Sequence, residues 1–284
     1  MSRPLEDFKH LFELRVVPDS ADMESSVVVT GGARGIGRGI AERLVARGHR
    51  VVLTDLDGAA AADTALEIGA EEGLTHDVRN PADHAAVAEA ALHHAPLTAW
   101  FNNAGVGDDG RLADLTDEQV RRLVEVNVLG VLWGMRAAFG SFGPAGGDVV
   151  NVASLAGLGP VPGYTVYAAT KAAVVSATAS AQAETPRSVH VHALCPDAVQ
   201  TALLDGQDPS GLGAQLVHSA PRVLTVDEVA DAAVSLIGSR RVIQSLPAWR
   251  GGVTRLGGLA PSASQHAFRL VAARGRRALK KRRA

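Results

Sequence analysis

The chain has 284 residues, 46% hydrophobic and 20% charged, which is enough apolar surface for a sizeable core and excludes wholesale disorder. A single cysteine, Cys195, excludes an intramolecular disulfide and a cysteine-cluster metal site, and no run of 18 apolar residues argues for a membrane-spanning helix. The net charge of −2 hides a basic tail: eight Arg and Lys and no acid lie from Arg269 onward, which leaves −10 on the rest and gives no sign of a nucleic-acid partner.

Residues 1–24 read as an irregular lead-in, charged at its start and without an apolar signal core, so a cytoplasmic location is expected. Val27–Thr30 is a strand, Ile36–Arg47 a helix and Val51–Asp55 the next strand. Asn80-Pro81-Ala82-Asp83 opens a helix to about His94, and Ala99–Phe101 is a short strand. Thr116-x-x-Gln119 is a capping box that starts a long helix to about Phe139. Val149–Val152 is a strand, Tyr164–Ala183 a helix and Val189–Leu194 a strand. Thr225-x-x-Glu228 caps a helix to about Ile237, and Val242–Leu246 is a weak last strand. Apolar strands alternating with helices predict an α/β fold, a doubly wound parallel sheet in a three-layer α/β/α sandwich. One catalytic domain is expected over 25–250, followed by an extension, 251–284, that ends in the basic tail. Ligands of such sheets bind at the carboxyl ends of the strands.

The first strand runs into Thr30-Gly31-Gly32-Ala33-Arg34-Gly35-Ile36-Gly37. Glycines there allow a sharp turn and close approach of a pyrophosphate to backbone, and the following helix aims free N–H groups at it. A tight turn without a ligand is the plainer alternative. Asp55 ends the second strand 24 residues after Gly31, where an acid meets the adenosine ribose, although Asp57-Gly58 also makes it readable as a turn residue.

The spacing Gly31-x-x-x-Gly35-x-Gly37 resembles that of the short-chain dehydrogenase/reductases. Four further motifs of that family follow in order: Asn102-Asn103-Ala104-Gly105, Asn127 on the long helix, Ser154 after the fifth strand, and Tyr167-x-x-x-Lys171, 13 residues after that serine. Together they span Val27 to Thr201. The resemblance implies a Rossmann-type NAD(P)-dependent oxidoreductase that interconverts a secondary alcohol and a ketone, as a homo-oligomer (dimer or tetramer). It implies that Tyr167 transfers the proton, Ser154 orients the substrate oxygen, and Lys171 tunes Tyr167 and binds the nicotinamide ribose. Asn127 is implied to hold a water near Lys171. Cofactor contacts are implied for Gly31, Arg34, Gly35, Ile36, Gly37, Asp55, the Asp77-Val78 pair at the adenine, Asn103, Ala104 and Gly105, Tyr167 and Lys171, and Pro196, Val199 and Thr201 beside the nicotinamide. Asp197 stands where the family usually has glycine, which matters if the backbone there must be left-handed.

The residues supply their own chemistry. Tyr167 and Lys171 are four apart on a predicted helix and share a face. A free phenol titrates near ~10; an ammonium about 4 Å away at an effective dielectric of about 20 is worth ~4 kcal/mol, enough to lower it by about three pH units. The rival phenol, Tyr164, has only Ala168 at that spacing. Asp55 would repel a 2′-phosphate that Arg34 would attract; the carboxylate is short and held at a strand end, so NAD is expected over NADP.

Ten histidines suggest no metal: HExxH is absent, His93 and His94 point from different helix faces, and His190 and His192 share a strand face without an acid nearby in sequence. The segment 202–224 is rich in Gly and Pro and carries Leu203, Leu204, Leu212, Leu216 and Val217. With Leu155, Leu158 and Val161 it suggests an apolar substrate of lipid or steroid type, or it merely closes the domain. A nucleotide-sensing regulatory protein on the same fold is the alternative from another class. In the tail, Phe268, Leu270, Val271 and Leu279 alternate with arginines, which fits peripheral contact with an anionic membrane or a solvated, frayed end.

Overall fold

The computed structural model describes residues 24–205, 211–217, 219, 222–259, 262 and 272–277. Their order is β1 (Ser26–Thr30), α1 (Gly35–Ala46), β2 (Arg50–Asp55), α2 (Gly58–Ile68), β3 (Glu72–Thr75), α3 (Pro81–His94), β4 (Leu97–Asn102), α4 (Asp117–Val124), α5 (Gly130–Ser141), β5 (Gly147–Val152), α6 (Thr165–Glu184), β6 (Val189–Pro196), α7 (Ala202–Asp205), α8 (Leu212–Val217), α9 (Val226–Val234), β7 (Ile243–Leu246) and α10 (Ala248–Leu259). The strands form one sheet in the order β3-β2-β1-β4-β5-β6-β7, and each neighbouring pair is parallel. The chain reverses its direction of travel across the sheet between β1 and β4, which opens a crevice at their carboxyl ends.

Alternate residues of each strand feed opposite layers. Val27, Val29, Val51 and Leu53 pack with Ile40, Ala41 and Leu44 of α1 and Val229, Ala230 and Ala233 of α9. Val28, Val52 and Trp100 pack with Val87 and Ala91 of α3, Val131 and Met135 of α5, and Val174 of α6. All of these side chains are buried, so neither face of the central strands meets water. The stretch Asp117–Ser141 contains an 18-residue window of mean hydropathy 1.3, enough by length and composition for a membrane span. Its apolar residues Leu123, Val131, Met135 and Ala138 are instead covered by protein.

Both predicted capping boxes form. Thr116 accepts from Gln119 N and Thr225 from Glu228 N, and each N3 side chain returns a bond to the cap's own N–H. Thr225→Ala removes one such acceptor at the start of α9, which packs on α1, and is expected to cost about 1 kcal/mol. A urea midpoint equal to wild type would show that α9 is held by packing alone.

Six elements differ from the sequence reading. Asp57-Gly58 starts α2 rather than a turn: Asp57 Oδ1 caps it by accepting from Ala60 N at 3.1 Å. The long helix is broken in the middle by a wider, π-type stretch, Glu125–Leu129. α9 stops at Val234, because the chain turns over Ser235–Gly238. α7 and α8 form within the Gly/Pro-rich segment. α10 runs across residue 250, where the domain was expected to end. Phe268, Leu270, Val271 and Leu279 of the tail lie outside the described residues.

Candidate active site

The carboxyl ends of the central strands border one cleft of about 1210 Å³. Every predicted site residue lines it except Gly37 and Asn127, which are buried beneath it. At the glycine turn, Gly31 and Gly35 adopt φ of 64° and 56°, a left-handed backbone that favours glycine. A β-carbon on Gly37 would stand 2.1 Å from the Gly31 carbonyl oxygen, so α1 can meet the turn this closely only through glycine. The first turn of α1 carries no acid and faces the cleft with Gly35 and Ile36. This cradle of exposed N–H groups fits a pyrophosphate.

Asp55 and Asp77 mark the next part of the cleft. Asp55 accepts bonds from Ala33 N and Asp57 N, each at 3.3 Å. Arg34 is exposed and makes no ion pair among the described residues, so it is not tied to Asp55. Asp77 is clasped by Arg79 at 2.6 Å, which holds its carboxyl below the usual range. Behind them His76 and His84 are buried, with rings edge to face at 4.3 Å. His84 Nε2 meets the Val78 carbonyl at 2.9 Å and so fixes the Asp77-Val78 backbone.

Burial lowers the His76 imidazole to about 3. Unfolded chains take up that proton near pH ~6.5, so the native state binds fewer protons between the two values. Stability is therefore fully present above pH 6.5 and falls as pH drops toward 3, by up to about 1.4 kcal/mol per pH unit for one such group. His76→Gln is expected to flatten urea stability measured from pH 7 to 4. An undiminished slope in that variant would place the acid sensitivity elsewhere.

β5, the turn after it and α6 bring Ser154, Tyr167 and Lys171 together. Ser154 Oγ accepts from Ala156 N at 3.1 Å, which caps the short turn Leu155–Leu158, and Ser154 lines the cleft with Tyr167. Lys171 Nζ donates to the Val152 carbonyl at 2.9 Å and lies 5.8 Å from the centre of the Tyr167 ring. Burial raises the Tyr167 hydroxyl, the nearby Ser154 side chain opposes that, and burial lowers the Lys171 ammonium to about 8. The net direction at Tyr167 is upward, against the lowering expected from a neighbouring lysine, because desolvation outweighs the groups around it. Tyr164 lies beside Tyr167, ring centres 5.7 Å apart.

Asn127 sits in the π-type stretch and is fully buried. Its Oδ1 accepts from Val106 N at 2.9 Å, and its Nδ2 donates to the Val106 carbonyl at 2.8 Å and to Thr170 Oγ1 at 3.2 Å. A β-carbon at Gly105 would approach Asn127 Oδ1 to 3.2 Å and Lys171 Nζ to 3.5 Å. Glycine there leaves an open path between the amide and the ammonium. Asn103 Nδ2 donates to the carbonyls of Thr30 and Gly31, both at 3.0 Å, and so ties the Asn103–Gly105 turn to the glycine turn.

Sequence reading missed a buried chain under this site. Trp100 Nε1 donates to Asn102 Oδ1, Asn102 Nδ2 to Asn151 Oδ1 and Asn151 Nδ2 to Thr178 Oγ1, at 2.8, 2.8 and 2.9 Å. It also missed α10, whose Trp249, Val253 and Thr254 line the cleft together with Pro160, Val161, Leu204 and Leu216. Leu155 lines the cleft as well, whereas Leu158 and Leu212 do not; the side chains of Leu203 and Val217 lie outside the described set. No non-glycine residue among those described has a left-handed backbone, so Asp197 carries no such strain. His192 Nε2 and His190 Nδ1 lie 3.0 and 3.5 Å from Asp148, an acid partner hidden by its distance in sequence. His192 Nδ1 bonds the Arg241 carbonyl, which accounts for both of its ring nitrogens.

A family model described as short chain dehydrogenase matches residues 25–210. A sorbitol dehydrogenase of Cereibacter sphaeroides is 38% identical over 188 residues, which cover 64% of this chain and 73% of that one. One relative is much longer: the chain is 32% identical to a "Probable oxidoreductase EphD" of Mycobacterium tuberculosis and spans 40% of its length. Two solved short-chain dehydrogenases superpose well. One, from Burkholderia phymatum in complex with NAD, is 32% identical with a TM-score of 0.72, covering 80% of this chain and 90% of that one. The other, from Sphingobium yanoikuyae in complex with NADPH, is 31% identical with a TM-score of 0.67, covering 79% and 88%. The class is thus an alcohol/ketone oxidoreductase on a dinucleotide-binding fold. Within it, the chain belongs to the short-chain dehydrogenase family.

Proposed function

We propose that the protein is an NAD-dependent dehydrogenase/reductase acting on an apolar secondary alcohol or the matching ketone. The observation that carries this reading is the cluster at one wall of the cleft: Ser154, Tyr167 and Lys171 line it together, with the Lys171 ammonium beneath the phenol ring. The cofactor supplies the hydride acceptor. The chain's own residues do the rest. Gly31, Gly35 and the start of α1 receive the pyrophosphate, and Asp55 accepts the ribose hydroxyls. Ser154 holds the substrate oxygen against Tyr167, which takes the hydroxyl proton as the carbon–hydrogen bond breaks. Lys171 places positive charge beneath the phenolate that Tyr167 must be before it takes that proton. Asn127, Asn103 and Val199 position the surrounding backbone, and Pro196 and Thr201 close the nicotinamide end.

The apolar residues of the substrate side, Leu155, Val161, Leu204, Leu216 and Val253, favour a hydrocarbon body over a polyol. The test is cofactor reduction by the full chain over a panel of apolar secondary alcohols with sorbitol as the polar control, NAD and NADP in parallel. Turnover of the apolar alcohols with NAD is expected. No reaction in either direction with any member would sink the proposal, and a preference for sorbitol would overturn its substrate half.

A further inference from the structure

α10 walls the substrate side of the cleft, and three contacts fasten it. A β-carbon at Gly251 would stand 2.0 Å from Ser245 Oγ of β7, and one at Gly159 would stand 2.5 Å from the Thr254 carbonyl oxygen. The helix is thus pressed against β7 and against the loop that follows Ser154. The third contact is ionic: Arg250 Nε donates to Asp197 Oδ2 at 2.6 Å, with the two side chains only 22% and 10% exposed. Asp197 follows Pro196 at the end of β6, and its N–H donates to the Leu246 carbonyl at 2.8 Å. Asp197, Arg250 and the neighbouring Trp249 all line the cleft. The glycine usual at this place in the resembling family could make no such pair.

We propose that Asp197 and Arg250 form a neutral latch that sets substrate specificity: Asp197 fastens α10 to the end of β6 and cancels the charge of Arg250, so this wall accepts the uncharged, apolar part of a substrate and refuses a carboxylate. It rests on the apolar-substrate reading above. Within the cleft a carboxylate near this wall would face Asp197, a like charge in a poorly solvated place. Removing the Asp197 charge leaves Arg250 uncancelled, and a guanidinium pairs with a carboxylate through charge-assisted hydrogen bonds. Specificity here is a repulsive element as much as an attractive one. Burial pushes the Asp197 carboxyl up, and Arg250 pulls it back, which fits a pair whose members depend on each other.

Two measurements on the full chain test the latch. The first needs no substrate: hydrogen exchange of residues 248–259 is expected to rise in Asp197→Asn and Arg250→Gln and to stay low in Arg250→Lys, which keeps the charge. Exchange unchanged in both uncharged variants overturns the latch, whatever the protein's activity. The second compares kcat/KM with NAD for an apolar secondary alcohol and for the same chain bearing a terminal carboxylate. Asp197→Asn is expected to shift the ratio toward the acid about tenfold, mainly through KM, with Arg250→Lys keeping the wild-type ratio. If Asp197→Asn does not fold, Arg250→Gln is the second variant: it leaves the Asp197 charge uncancelled and is expected to move the ratio further from the acid, and a move toward the acid would overturn the latch. Arg274 also lines the cleft, on the helical segment 272–277. Acid selectivity that follows Arg274→Gln and ignores Asp197→Asn would overturn the assignment. Loss of all activity in wild type with a normal exchange response would instead sink the proposed reaction and leave the fastening of α10 standing.

Discussion

Tyr167→Phe is expected to keep the dinucleotide bound and to lower turnover by two to four orders of magnitude, the usual share of general acid–base catalysis. That loss corresponds to about 3–5 kcal/mol of transition-state stabilisation. The substitution deletes one oxygen and leaves the ring, which Lys171 underlies at 5.8 Å and Tyr164 flanks at 5.7 Å. The wall of the cleft is therefore preserved while the proton carrier is gone. Ser154 would keep its bond from Ala156 N and hold the turn in place. Dinucleotide titration and steady-state rates on one preparation separate the two effects. Near-wild-type turnover in Tyr167→Phe would move the chemistry elsewhere, with Tyr164 next in reach.

Asp55→Ala is expected to narrow or reverse a preference for NAD over NADP of roughly tenfold or more in wild type. A 2′-phosphate carries up to two negative charges. One unit-charge repulsion at about 4 Å and an effective dielectric near 20 is ~4 kcal/mol, which solvent and salt reduce to one or two. Asp55 is held at the end of β2 by the N–H groups of Ala33 and Asp57 and cannot easily turn away. Arg34 is exposed and makes no ion pair among the described residues, so it is free to meet a phosphate once the carboxylate is removed. Ratios of kcat/KM for the two cofactors, in wild type and variant, decide the matter. Equal or better use of NADP by wild type would show that Arg34 prevails over Asp55.

The parts of the molecule written in short-range spacing were legible. Apolar strands, capping boxes and a tyrosine four residues before a lysine are local patterns, and the structure places each where the spacing put it. α2 was hidden because Asp57-Gly58 serves equally as a turn and as a cap with first helical residue. α10 was hidden because Gly251, Gly252, Gly257 and Gly258 weaken its intrinsic helicity. Packing of Gly251 against Ser245 and of Gly258 against the 158–160 loop holds it instead. Pairs far apart in sequence leave no local signal at all. Asp197 with Arg250, Asp148 with His192, and Asn102 with Asn151 are of this kind. The electrostatic balance at Tyr167 was misjudged for a related reason: the spacing to Lys171 was visible, but the depth of burial and the Val152 carbonyl that engages the ammonium were not.

The π-type stretch at Asn127 has a consequence for how such chains can change length. An α-helix advances about 100° per residue, and the wider turn over Glu125–Leu129 is in effect one residue more than a regular helix needs. Deleting one residue there would restore regular helix geometry locally. The wide turn absorbs that residue, so Leu123 before it and Val131, Met135 and Ala138 after it would keep their buried faces. What the deletion would lose is the placement of Asn127 against Val106. The extra residue thus serves the amide it delivers rather than the packing of the helix, and its removal should cost the site before it costs the fold.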